Sequence, residues 1–459
     1  MAEHNVTVES TLRALLNDKK YSTLKDILVT MNPSDIAAVF DELEEDRTPL
    51  LFRLLPKELA AETFVEMEPE LQELLIKGFS DSELREVVQE LYVDDAADLV
   101  EEMPANVVRR ILAQADPEMR KEINEILQYP ENSAGSIMTT EYVALRENMT
   151  VEEAITRIRR TGIDKETIYT CYVVSNRTLV GFVTVKDLLL ATDDDAKISE
   201  IMDTNAISVN TKTDQEEVAQ MLSKYNFLAL PVVDNENRLV GIVTFDDAMD
   251  VMEEEVTEDI EKMAAIVPSD KAYLRSSPWD LFKHRIPWLL LLMVSATFTG
   301  MIITKFEDAL AAQVVLTAFI PMLMDTGGNS GSQSSVTVIR ALSLDELEFA
   351  DLLEVIWKEI RTAVLCGVAL AVACFGKIML VDRLIMGNSQ VTVMVALVVC
   401  ATMALTVLVA KVIGCTLPML AKKIGFDPAV MASPFITTIV DALSLLVYFG
   451  IASALLFRA

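Results

Sequence analysis

Asp441 stands alone in an apolar stretch, with 13 uncharged residues before it and 16 after. A carboxylate in hydrocarbon costs several kcal/mol unless it meets water, protein or a cation. No basic residue is an obvious partner at comparable depth, which points to a cation pathway; a protonated, hydrogen-bonded structural Asp is the other reading. Upstream, Pro321–Gln333 sets Asp325, Gly327, Gly328, Asn329 and Gly331 among serines at the end of another apolar run. Irregular backbone at membrane depth survives only where protein or a water-filled cavity satisfies its polar groups. Carbonyls and amides freed there could hold an ion's hydration shell; alternatively the stretch simply ends a span. Pro434 predicts a kink close to Ser433, Thr437 and Thr438.

A third feature is a run of charge. From Asp246 to Glu261 there are nine carboxylates and no basic residue, while Ala248, Met249, Val251, Met252 and Val256 keep a helical period. Pairs four apart, such as Asp246/Asp250 and Asp250/Glu254, each cost a few tenths of a kcal/mol. Divalent cations would relieve that repulsion, and hard Mg²⁺ takes oxygen ligands, often through its own waters. A solubilising linker is the alternative, although the run lies directly before the apolar half. Asp94 and Asp98, four apart, share one helical face, and Glu62 lies on another unit. Taken alone, such helix carboxylates are usually just solvated.

The elements that must position these residues divide sharply. The net charge of −31 comes almost wholly from the chain before about residue 285. An acidic front argues against nucleic acid and favours cations. Cys171, Cys366, Cys374, Cys400 and Cys415 form no CxxC and read as small core residues. The two histidines supply no zinc set. The N-terminus lacks a signal-peptide pattern, which predicts a cytosolic front. There is no GxxxxGK[ST] and no nucleophile–base set, so an enzyme is not expected.

Residues 31–127 repeat every 12 positions. Val39, Leu51, Thr63, Leu75, Val87, Leu99, Ile111 and Ile123 recur in register, and Asn32-Pro33-Ser34-Asp35 and Asp116-Pro117-Glu118 are helix starts. One short helix per unit is predicted, stacked as a superhelix. A second repeat follows. Cys171-Tyr172-Val173-Val174 pairs with Leu230-Pro231-Val232-Val233, and Leu179–Thr184 with Leu239–Thr244. Each copy reads strand, helix, strand, turn, strand, helix. This resembles a tandem pair of CBS domains over about 136–252, which regulate attached proteins and often bind adenine nucleotides. The family's ribose-binding pattern fits Thr184 with Asp187 and Thr244 with Asp247; a Thr and Asp three apart can equally cap a helix.

Five apolar segments come last: Ile286–Thr304, Ala309–Met324, Thr362–Val381, Leu384–Ala410 and Pro428–Phe457. Lys and Arg concentrate on the side carrying the N-terminal domains, which places the N-terminus in the cytosol and the protein in the plasma membrane as a multi-pass protein among its lipids. The expected fold class is multidomain: an all-α helical superhelix (1–130), an α/β tandem CBS pair (136–200 and 201–252), a connecting acidic helix (253–280) and a polytopic α-helical membrane domain of five transmembrane helices (281–459).

The whole chain, in this order, resembles the MgtE family of magnesium channels; Met324–Gln333 and Asp427–Asp441 are its most specific parts. The resemblance implies a homodimer with a pore along the subunit interface, Mg²⁺ as both substrate and regulator, and Asp441 as the ion-selecting carboxylate. Beside it lie Gly327, Gly328, Asn329, Ser433, Thr437 and Thr438. It makes the connecting helix a plug and carries regulatory metal positions onto Glu62, Asp94, Asp98, Asp214, Glu216, Asp247, Asp250, Glu255, Glu258, Asp259 and Asp427. Two positions depart from the pattern: Asn226 stands where an Asp can occur, and Ser433 where an Asn can occur. The expected mechanism is voltage-driven Mg²⁺ entry that high cytosolic Mg²⁺ shuts off by bridging the acidic surfaces. A secondary carrier for Co²⁺ or Ni²⁺, and a membrane-anchored sensor that passes no ion, are the rivals.

Overall fold

The 12-residue repeat becomes one helix per unit because most units open on a cap or a proline and close on an apolar residue. The computed structural model describes residues 2–43, 47–269, 271, 273–274 and 276–456, without the side chains of residues 2–9, Asp164, Asp308, Ala309 and Ser433. Among the described residues ten helices come first: α1 (Ala2–Asn17), α2 (Tyr21–Leu28), α3 (Pro33–Glu42), α4 (Thr48–Phe52), α5 (Lys57–Val65), α6 (Pro69–Gly78), α7 (Asp81–Val88), α8 (Val93–Glu102), α9 (Ala105–Gln114) and α10 (Pro117–Ile126). From α5 to α10 the starts fall 12 residues apart. Asn32 accepts from the Ser34 amide at 3.2 Å, and Asp116 accepts from the Glu118 and Met119 amides at 2.9 Å, so both expected starts are capped. All eight repeating positions from Val39 to Ile123 are buried, the seven apolar ones in one continuous core. No helix of this length is stable alone; stacking supplies the burial.

The duplicated segment folds as two copies of one sheet. The first contains β1 (Ala144–Arg146), α11 (Val151–Thr161), β2 (Thr170–Ser175), β3 (Thr178–Thr184) and α12 (Val185–Leu190). After the short α13 (Ile198–Ile201), β4 (Val209–Asn210), α14 (Gln215–Tyr225), β5 (Ala229–Val233), β6 (Leu239–Thr244) and α15 (Phe245–Met263) repeat it. In each copy the first strand pairs parallel to the second and the second antiparallel to the third. The bulge at Val173/Val174 recurs at Val232/Val233. Gly241 is required by packing: a Cβ there would lie 2.8 Å from the Thr139 carbonyl oxygen, where the chain entering the first copy pairs with β6. Cys171 is a core residue of β2.

The chain divides into two compact units, Met1–Met252 and Glu253–Ala459. The boundary falls inside α15, so the acidic connector is the continuation of the last CBS helix and not a separate element starting at 253. The second unit holds α16 (Pro278–Lys305), α17 (Glu307–Ala312), α18 (Ile320–Ser343), α19 (Leu352–Lys377), α20 (Val393–Lys423) and α21 (Ser433–Leu456). α18 packs against α20 and α21, α19 against α20, and α16 against α21.

Several expected boundaries change here. Among the described residues four helices are long and apolar enough to cross a membrane, within 278–305, 349–385, 393–423 and 428–456. α18 is too polar to count with them. The segment expected at Ala309–Met324 is instead α17, a 3-10 turn at Val314–Phe319 and the start of α18. The span expected at Leu384–Ala410 begins at Val393 and runs through Lys411 to Lys423. Phe457 lies outside the described residues. Pro434 is the second residue of α21, where its missing N–H costs nothing, so it starts a helix and does not kink one.

Candidate cation sites

In the first unit the two acidic ends of α8 and α15 come together. Asp94, Asp95 and Asp98 lie on α8, Asp246 and Asp247 on the first turn of α15, and Glu141 and Glu166 in loops of the first sheet module. Asp94 is buried, and its Oδ1 has no hydrogen-bond partner; Glu166 Oε2 is likewise unpartnered. Burial, then the nearby charge of Asp247, holds Asp94 well above the usual carboxylate range. The same two causes push Asp95 to about 7 and Glu166 to about 8. Asp98 is raised to about 7 by burial and then by Asp95, but its side chain is open enough to solvent that screening weakens the effect. Burial also lifts Asp247 to about 6, although hydrogen bonds from Thr244 oppose it. Every charge acting most strongly on Asp94 is another carboxylate.

Such a group binds protons or cations. Its oxygens suit a hard ion, and the orphaned Asp94 Oδ1 is a free acceptor. Yet among the described residues no three carboxylates, histidines or cysteines converge on one point to ligate a metal. Asp95 adjoins Asp94 in the chain, whereas Glu141 and Glu166 have no sequence signal, since only the fold brings them to Asp94. Glu62 is exposed on α5 and is not among the carboxylates acting most strongly on Asp94 or Asp98. Asp250 lies one turn beyond Asp247 and adds to its shift.

Asp214 and Glu216 stand at the start of α14, where Asp214 accepts from the Glu216 amide at 2.9 Å and Glu216 Oε1 accepts from Gln220 at 3.1 Å. Asn226 ends that helix with φ of 55°, a left-handed cap that Asn tolerates well. Thr184 and Asp187 form a reciprocal capping box on α12. Thr244 repeats it at α15: its hydroxyl donates to Asp247 Oδ2 and its amide approaches the same oxygen at 3.4 Å. The helix-capping use of both Thr–Asp pairs is thus realised.

In the second unit the far end of α15 makes a different arrangement. Lys262 Nζ lies 2.7 Å from both Glu258 Oε1 and Asp427 Oδ2. Asp259, raised to about 6 by burial and then by Asp427, lies 3.5 Å from Ser343 at the end of α18. Glu255 contributes to the same shift. Met263 packs on Ile339, Ala429 and Ala432, which ties this end to the helices.

Asp441 is the ninth residue of α21, partly exposed and within electrostatic reach of Asp325 on α18. Met324–Gln333 is continuous α-helix, contrary to the irregular stretch or span end read from its glycines. In a low-dielectric setting the helix satisfies every backbone group internally, which outweighs glycine's poor propensity. Gly327 and Gly328 are therefore packing positions without freed carbonyls. A Cβ on Gly327 would lie 2.7 Å from Thr406 and 2.9 Å from Ser444, and one on Gly328 would lie 2.9 Å from Thr437. Asn329 and Asp325 lie on the exposed face, four residues apart. Thr437 and Thr438 both donate to the Pro434 carbonyl at 3.0 Å, and the Ser433 side chain lies outside the described residues.

A basic residue does lie deep in the helices. Lys411 is 5% exposed, twelve residues before the end of α20. Its partners are Ser334 at 3.2 Å and Glu359 at 3.7 Å, not Asp441. Its signal was a lone lysine between apolar runs.

Comparison with known proteins agrees with this division. Residues 320–451 match the MgtE family described as divalent cation transporters, 31–132 the MgtE intracellular N domain, and 134–194 and 198–254 CBS domains. The magnesium transporter MgtE of Thermus thermophilus is 38% identical over 451 residues, covering 97% of this chain and 98% of the relative. That of Bacillus subtilis is 34% identical over 445 residues, covering 96% and 95%. The solved cytosolic domain of the Mg²⁺ channel MgtE in complex with ATP superposes with a TM-score of 0.51 at 41% identity, over 53% of this chain and 99% of that one. The soluble part of a magnesium transporter gives 0.51 at 31% identity, over 56% and 99%.

Proposed function

The chain belongs to the MgtE family, a transporter family and not one of enzymes, and from that premise we propose that it is a homodimeric, Mg²⁺-selective channel of the plasma membrane which cytosolic Mg²⁺ closes. The observation that carries the reading is Asp441, a part-exposed carboxylate deep in a helix bundle, with Asp325 as its electrostatic neighbour. The exposed face of α18 bearing Asp325 and Asn329 then lines the path together with Asp441, across an interface with a second copy. α18 is the fifth crossing helix; a polar face is tolerated there because it meets water, not lipid. The N-terminus lies on the cytosolic side. Membrane potential drives entry, worth about 2.3 kcal/mol per charge per 100 mV and twice that for a divalent ion.

Closure follows from linkage: the closed state binds more Mg²⁺ than the open one. The carboxylates around Asp94 and Asp247, and Glu255, Glu258, Asp259 and Asp427 at the far end of α15, are the groups that gain from a bound ion. A relative's cytosolic domain is known in complex with ATP. We extend adenine-nucleotide binding to the CBS pair here, with Thr184, Asp187, Thr244 and Asp247 at its ribose ends.

Mg²⁺ uptake into proteoliposomes under an imposed potential tests the reading. The intact chain takes up Mg²⁺ without a counter-ion gradient, and Asp441→Ala lowers uptake by at least about 100-fold, the cost of a few kcal/mol of lost ion stabilisation. Equal uptake by the two would overturn the assignment. Uptake that requires a counter-ion gradient would indicate a carrier, and none at all a sensor.

A further inference from the structure

Lys411 has no part in the cation path described above, yet among the described residues it is one of the most deeply buried charges. We propose that Lys411 is a positioning residue for transport: with Ser334 and Glu359 it clamps α18, α19 and α20 in one register, so that the Asp325–Asn329 face of α18 is held at Asp441. The inference rests on the pathway reading of Asp441.

The element to be held is α18. Its segment Thr326–Ser335 holds three glycines and four serines, which give a helix little side-chain relief by which to fix its place against a neighbour. Between apolar helices in a membrane no hydrophobic force selects one register, and packing of small residues and polar contacts must do so. At the crossing of α18 and α20 the small residues meet directly: a Cβ on Gly414 would collide with the Gly331 carbonyl oxygen. That contact sets the separation, and a smooth backbone contact alone tolerates sliding.

The clamp lies beside it. Lys411 Nζ donates to Ser334 Oγ at 3.2 Å, Ser334 Oγ donates to Glu359 Oε2 at 2.6 Å, and Lys411 Nζ lies 3.7 Å from Glu359 Oε2. The three residues come from three helices: Ser334 from α18, Glu359 from α19 and Lys411 from α20. Ser335, next to Ser334, donates to the Met431 carbonyl at 3.0 Å, which ties α18 to the turn before α21. A one-turn slip of α18 moves Ser334 by about 5.4 Å, out of reach of both charges. The clamp therefore gives α18 a single low-energy position, and Asn329 and Asp325, about one and a half and two and a half turns along, inherit it. Because the lysine and glutamate cancel, the clamp adds no net charge to the bundle.

The test is Mg²⁺ and Ca²⁺ uptake in proteoliposomes by the intact chain, Asp441→Ala, Lys411→Met, Glu359→Gln and the charge-swapped K411E/E359K. Positioning predicts that K411M and E359Q each raise the apparent KM for Mg²⁺ and lower the Mg²⁺/Ca²⁺ ratio by about tenfold, the usual cost of losing a residue that orients ion-contacting groups. The swap returns both toward wild type. A purely structural lysine would lower only the maximal rate, and unchanged KM and ratio in K411M would overturn the proposal. Where K411M fails to accumulate, the swap decides: it supports the clamp if KM and ratio are those of wild type and refutes it if the swap is as impaired as E359Q. Normal uptake by Asp441→Ala would instead sink the pathway reading, a separate failure.

Discussion

The two ends of α15 carry the same kind of side chain and meet opposite circumstances. At its start, Asp247 faces Asp94 and Asp95 in a group where the strongest neighbouring charges are carboxylates. At its far end, Glu258 and Asp427 already share a cation, the Lys262 ammonium, at 2.7 Å each. The first end stores repulsion that only an outside ion or a proton can relieve. The second is part-neutralised by the chain itself, so an ion arriving there either displaces Lys262 or binds through Asp259 and Glu255. One acidic helix thus has an end that needs its ligand and an end that can be held without it.

The largest expected effect separates the ends by pH. Asp95, Glu166 and Asp247 have folded-state values of about 7, 8 and 6, above the roughly 4 of an unfolded chain. A raised carboxylate favours the folded state while protonated, so this stability is fully present below about 4 and is lost as pH rises from there to the folded values of about 6 to 8. In chelator, hydrogen exchange across α8 of the intact protein, corrected for intrinsic rates, should lose protection by about 100-fold between pH 5 and 8, or about 1.4 kcal/mol per pKa unit over two units. Millimolar Mg²⁺ at pH 8 should restore it. Protection of the α15 segment near Lys262, where Asp259 is raised to about 6, should change by about tenfold only; equal changes at both ends would break the comparison.

Lys262→Gln converts the second end into the first. Its loss removes two charge-assisted contacts of a partly exposed amine, about 1–2 kcal/mol. Exchange at Glu258–Met263 should then become Mg²⁺-dependent; if it stays protected in chelator, Lys262 is not what holds that end. The smallest effect sharpens the boundary of the sensor. Asp214→Ala should cost about 1 kcal/mol through the lost cap of α14 and leave Mg²⁺ inhibition of flux unaltered; a shifted inhibition midpoint would move Asp214 from cap to ligand.

Much of this was legible before any coordinates. The 12-residue repeat gave the helices because one short amphipathic helix per unit leaves only stacking as a solution, and Val39 through Ile123 are all buried. The duplication gave two like sheets down to their bulges. Asp441 stood out because a lone charge in an apolar run is rare, and its role is for flux measurements to decide. What failed was local propensity at membrane depth: Gly327 and Gly328 read as a break, yet the environment enforces helix and uses them for close packing. Glu166, Glu359 and the contact of Lys262 with Asp427 were out of reach for a different reason. Each matters through a partner far away in sequence, and no spacing announces such a meeting.

The account's central claim is that flux through the Asp441 path is governed by cations bound at the start of α15. Its most direct test is Mg²⁺ current in planar bilayers while Mg²⁺ on the cytosolic side is titrated, for the intact chain and for Asp94→Asn/Asp247→Asn. The account predicts that the double variant still conducts and that its inhibition midpoint moves at least about tenfold toward higher Mg²⁺, within the usual 1–3 kcal/mol of coupling between sites. An unchanged midpoint with normal current would contradict it.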